Sequence, residues 1–130
     1  IIVMGFSLGT GVATYVANNY DILGLILVAP YNNGVDLYNT ELNIFYGPLK
    51  CLVRNRFPSD GYAKGIEEET LIVASIDDEV IPFELSDKLN RSFKNSRLLK
   101  VNKCSHNEMM YDEYVISEIV GFIDEQGSKL

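Results

Sequence analysis

Cysteine is scarce: Cys51 and Cys104 are the only two, they form no CxxC pair, and neither stands at a metal-ligand spacing from the single histidine. That excludes a disulfide framework, offers no ligand set for a metal, and fits a reducing, cytoplasmic compartment. Long apolar runs are missing too. Ile22 to Ala29 is stopped by Asp21 and Pro30, well short of the roughly 18 residues of a membrane span. No membrane span is therefore expected in this chain. Basic residues are in the minority, 11 Lys and Arg against 18 Asp and Glu, for a formal net charge of −7. Such a charge repels phosphate backbones and anionic lipid at long range, which argues against nucleic acid as a partner. The run Glu67, Glu68, Glu69 reads as a solvated loop or helix end. The chain opens on Ile1 rather than methionine and enters an apolar strand at once, which leaves room for a signal or anchor ahead of it.

What is present is the composition of an ordinary globular protein, 47% hydrophobic and 22% charged over 130 residues, enough for one modest domain. Ile1 to Met4, ending at Gly5, is a continuous apolar run that suits a strand covered on both faces. From Leu8 to about Asn18 the pattern turns helical, with Val12, Tyr15 and Val16 at helix spacing. Gly24 to Ala29, Thr70 to Ser75 and Leu98 to Val101 read as three further strands. Phe83 to Phe93, with Pro82 near its first turn, and Tyr111 to about Glu125, stopped near Gly127, read as amphipathic helices. Alternation of this kind predicts an α/β fold, a parallel β-sheet flanked by helices and joined by right-handed crossovers. Tyr31 to Gly65 reads as an irregular stretch carrying Tyr31, Tyr38, Phe45, Tyr46 and Phe57, with a helical segment near Pro48 to Asn55.

Chemistry concentrates where the first strand meets the first helix. Gly5-Phe6-Ser7-Leu8-Gly9 is a G-x-S-x-G sequence. A serine held exposed on such a turn needs positions beside it that carry no side chain. Serine is a weak nucleophile at neutral pH and requires a base oriented by a third group. His106 is the only histidine, so the base is this residue or absent. For the orienting acid, Asp77, Asp78 and Glu79 compete, since all three directly follow the third strand. For Asp77 and Glu79 the favoured reading is a solvated turn or the start of the next helix. The N–H of Leu8, directly after the serine and near the positive end of its helix, is the expected oxyanion donor. Cys104, close to the histidine, lacks such a turn and reads as structural.

At these residues the sequence resembles the α/β-hydrolase superfamily, in particular its prolyl-oligopeptidase-like and monoglyceride-lipase-like serine hydrolases. The matching stretches are Ile2 to Gly11, Thr70 to Pro82 and Cys104 to Asn107. The family pattern G-x-x-D-x-x-V/I-P falls on Ser75, Asp78, Ile81 and Pro82, so the resemblance selects Asp78 as the acid. The family's G-H-N falls on Ser105, His106 and Asn107, which matches His106 to the base. Serines thus stand where the family has two glycines. The resemblance implies the last four strands of one hydrolase domain over residues 1–130, with 31–65 as a candidate cap or irregular insertion.

It further implies a cofactor-independent serine hydrolase acting on a small-molecule acyl substrate or a peptide, with Ser7, Asp78 and His106 as the triad. In such enzymes the second oxyanion donor comes from a loop after an earlier strand. Losing one donor typically costs about 10²–10³ in rate, so this stretch alone is expected to be badly impaired. Acyl transfer on the same triad, or a non-catalytic module that binds another protein, are the alternatives. The first strand, lacking a neighbour on one side, is expected to be an exposed edge prone to self-association.

Overall fold

A computed structural model describes residues 1–41 and 56–130. Four strands, β1 (Ile2–Phe6), β2 (Gly24–Val28), β3 (Thr70–Ser75) and β4 (Ser96–Val101), lie side by side in chain order. All three pairings are parallel, with Ile2 opposite Gly24, Leu27 opposite Ile72 and Ser75 opposite Val101. Parallel neighbours need a crossover, and helices provide each one. α1 (Gly9–Asn19) links β1 to β2, α2 (Gly34–Glu41) and α3 (Ser59–Ala63) lie between β2 and β3, and α4 (Phe83–Asn90) links β3 to β4. α5 (Glu113–Gly127) follows β4 through a single 3₁₀ turn at Glu108–Met110.

The two central strands are buried at every position, and strand alternation sends their side chains to opposite faces. Leu25, Leu27 and Ile72 pack with Ala13 and Ala17 of α1, Ala63 of α3 and Leu89 of α4. Ile26, Val28, Leu71 and Val73 pack on the other face with Val115, Ile119 and Phe122 of α5. Each such leucine or isoleucine contributes about 1.5–3 kcal/mol on burial. Both faces are covered, which is why these strands read as unbroken apolar runs.

The edge strands differ from each other. β4 places the exposed charges Arg97 and Lys100 along its length. β1 has none, and its Met4 is 41% exposed. Beside it Ile1, Val3, Val16, Tyr20, Asp21 and Ile22 line an open, largely apolar groove.

Several boundaries move from those the sequence predicts. β1 runs on to Phe6, and β2 stops one residue early because Ala29 turns into the left-handed region at φ 52°. β4 starts at Ser96, two residues before the apolar pattern, since Thr70 pairs with Ser96 whatever the polarity of Arg97. α4 ends at Asn90 rather than Phe93. α5 starts at Glu113 rather than Tyr111 because Asp112 caps it, its Oδ1 accepting from Val115 N–H at 2.9 Å. The stretch read as irregular holds α2 and α3 at its ends. Asn33, a residue that also suits turns, accepts Asp36 N–H through Oδ1 at 2.8 Å and starts α2. The helical segment expected near Pro48 to Asn55 lies outside the described residues, as do Phe45 and Tyr46. Among the described residues no helix is long and apolar enough to cross a membrane.

Candidate active site

Ser7 follows β1 directly and sits in the left-handed region, φ 53°. A non-glycine residue there carries strain of about 1–3 kcal/mol that its surroundings must hold in place. They do so from both sides. Ser7 N–H donates to Val28 C=O at 2.9 Å, and Ser7 C=O accepts from Thr10 N–H at 3.0 Å and Thr10 Oγ1 at 2.6 Å. Gly5 must lack a side chain, because a Cβ would fall 2.7 Å from the Gly9 carbonyl oxygen and 2.8 Å from Ala13 Cβ. Gly9 faces open space, so the steric demand expected at both glycines holds at Gly5 alone. The Leu8 N–H has no acceptor among the described residues.

Tyr31 fills the space under this turn. Its ring is fully buried, its hydroxyl donates to Leu8 C=O at 3.4 Å, and a Cβ on Gly11 would lie 2.5 Å from that hydroxyl. Burial, with a lesser effect from Tyr38, pushes its ionisation up to about 12. Sequence reasoning placed Tyr31 only among the aromatics of the following stretch. Phe57, another of these, stands edge-on to Tyr31 and helps line an open groove of about 300 Å³ with Val12, Tyr15 and Tyr62.

The candidate acid and base come from the loops that follow β3 and β4. Asp78 Oδ1 accepts Val80 N–H and Ile81 N–H, each at 2.8 Å, which fixes the carboxylate. Its Oδ2 lies 2.8 Å from His106 Nδ1, and His106 Nε2 lies 2.9 Å from Ser7 Oγ. The side chains of His106 and Asp78 are 6% and 2% exposed. A carboxylate so placed favours the tautomer with its proton on Nδ1, leaving Nε2 free to accept from the serine hydroxyl. The Phe6 ring lies against the imidazole, centroids 5.0 Å apart. Ser7, Asp78 and His106, separated in sequence, are thus brought into one hydrogen-bonded line.

The neighbouring carboxylates do more than solvate a turn. Asp77 Oδ2 accepts Lys103 N–H at 2.6 Å, and Glu79 Oε2 accepts His106 N–H at 3.0 Å. The His106 N–H holds the Glu79 carboxyl below the usual carboxylate range. Ser75, in place of the family glycine, is fully buried; its Oγ donates to Cys104 C=O at 2.5 Å and accepts from Asp77 N–H at 3.1 Å. Ser105 N–H donates to Glu108 Oε2 at 2.8 Å. Burial pushes the Cys104 thiol up, away from the reactive thiolate. Among the described residues no three His, Cys, Asp or Glu side chains are grouped to hold a metal ion.

No protein-family model matches the sequence, and no curated protein is significantly similar to it. Solved structures do match. An α/β-hydrolase enzyme from a sediment metagenome of the Mar Chica lagoon, Morocco, superposes with a TM-score of 0.73 at 18% identity, over 98% of this chain and 62% of its own. Est1E from Butyrivibrio proteoclasticus gives 0.75 at 19%, over 96% and 60%. The acylaminoacyl peptidase of Pyrococcus horikoshii gives 0.75 at 15%, over 95% and 23%. The chain has the α/β-hydrolase fold in part, four parallel strands with their helices. It spans about three-fifths of the first two of these structures.

Proposed function

We propose that this α/β-hydrolase-fold chain carries the nucleophile, base and acid of a serine hydrolase that cleaves an ester, thioester or peptide bond through an acyl-enzyme intermediate. The observation that carries the reading is the continuous hydrogen-bond line from Ser7 Oγ through the His106 ring to Asp78 Oδ2, at 2.9 and 2.8 Å. His106 Nε2 takes the serine proton as Oγ attacks the acyl carbon, then returns it to the leaving group. Asp78 keeps the other ring proton on Nδ1 and stabilises the imidazolium. The uncommitted Leu8 N–H donates to the carbonyl oxygen as it gains charge. Water, activated by the same ring, then releases the acyl group. Est1E, solved with ferulic acid bound, and the acylaminoacyl peptidase support an acyl substrate of ester or amide type.

The test uses the intact natural protein. A fluorophosphonate probe should label it and fail to label Ser7→Ala; a label that persists in that variant overturns the nucleophile. With an activated ester, Asp78→Asn should lower kcat by about 10³–10⁴, as loss of the orienting acid does elsewhere. Asp77→Asn should stay within roughly tenfold of wild type, since its amide oxygen still accepts a hydrogen bond. The reverse order of the two variants would assign the acid to Asp77.

A further inference from the structure

We infer that Glu79 is a positioning residue for His106, holding its backbone while Asp78 holds its ring. The inference rests on the triad reading above and adds a second fixed point to it. Consecutive carboxylates engage the same histidine at different atoms: Asp78 Oδ2 at Nδ1, 2.8 Å, and Glu79 Oε2 at the main-chain N–H, 3.0 Å. The contacts of the ring, at Nδ1, at Nε2 and with Phe6, hold the imidazole but not the main chain from which it departs. A bond at the main chain fixes where the side chain departs, so Nε2 stays on the line to Ser7 Oγ.

The loop around His106 needs such holds. Lys103 is left-handed at φ 53°, a conformation that costs energy for a residue with a Cβ. It is pinned by Asp77 through its N–H, and the next residue is pinned by Ser75 through the Cys104 carbonyl. Glu79 completes the series at His106 itself. Ser75, Asp77 and Glu79 therefore fasten the end of β3 and the loop after it to the loop after β4, and Glu79 alone of the three acts on the histidine. Its side chain is exposed, so replacing it leaves the core packing intact.

A misplacement of a catalytic group by about 1 Å can cost up to roughly 10²-fold in rate. In the intact natural protein, Glu79→Ala should lower the maximal inactivation rate by a fluorophosphonate about tenfold, on that scale. The half-saturating probe concentration and the melting temperature should stay near wild type. Glu79→Gln, whose amide oxygen still accepts from His106 N–H, should recover most of the rate. An unchanged rate in Glu79→Ala overturns the inference, and so does a Glu79→Gln variant as slow as Glu79→Ala. Ser7→Ala separates the two levels. A label that survives it overturns the hydrolase reading and this inference together, whereas a Ser7-dependent label indifferent to Glu79→Ala overturns the positioning role alone.

Discussion

Gly5 and Gly9 flank the same serine, yet they answer to different constraints. A methyl group at Gly5 would strike the Gly9 carbonyl and Ala13, neither of which is the yielding end of a long side chain. Gly5→Ala should therefore destabilise the protein by about 1–3 kcal/mol, the usual range for overpacking. Gly9→Ala, with nothing within 4 Å of the added carbon, should stay within about 0.5 kcal/mol. Urea unfolding of the two variants checks the pair, and equal losses would show that helix α1 does not press on the strand as described. At this scale the candidate site residues were legible and their supports were not. Ser7 stands out by its G-x-S-x-G turn and His106 as the single histidine, whereas the residues after β3 offer three carboxylates and only the family resemblance points to Asp78. Ser75, Asp77 and Glu79 act across separations of 26 to 29 residues, where no spacing rule operates. Alone, a carboxylate beside a turn looks like solvation.

Helices and strands are tied to one another by ionic contacts, and the one at Glu69 carries a pH dependence. Glu69 Oε2, just before β3, accepts from Lys129 Nζ at 2.7 Å and from Gln126 Nε2 at 2.9 Å, joining the end of α5 to the sheet. The Lys129 hydrogen bond, then the Gln126 one, hold its carboxyl below the usual range. A depressed folded-state value means that folding releases protons. The contribution is full above the ordinary glutamate range and fades as pH falls through the lowered value. Glu69→Gln should therefore melt below wild type at pH 7, and the gap should close as the medium is acidified. A gap that is constant with pH would assign the loss to packing instead. The central strands were legible because double-sided burial writes them as unbroken apolar runs. β4 was only half legible, since an edge strand tolerates Arg97 and Lys100. α2 was hidden, because Asn33 and Gly34 serve a turn as readily as a helix start.

Over the whole molecule, the two sheet edges differ in a way that bears on solution behaviour. Charges guard β4, whereas β1, an edge strand among the described residues, has an exposed Met4 and an apolar groove alongside. The 130-residue chain on its own should associate through β1, and Met4→Lys should raise the concentration at which it does so. Sedimentation across a concentration series decides it; a strictly monomeric wild-type chain would remove β1 as the contact. The line from Ser7 to Asp78 belongs to this scale as well, because its members leave β1, β3 and β4, and Ser7 and His106 are 99 residues apart. No partly assembled sheet can close it. Since His106 is the only histidine in the chain, its imidazole resonances need no assignment among rivals. One ring in an NMR spectrum thus reports whether three separate crossovers have all been completed.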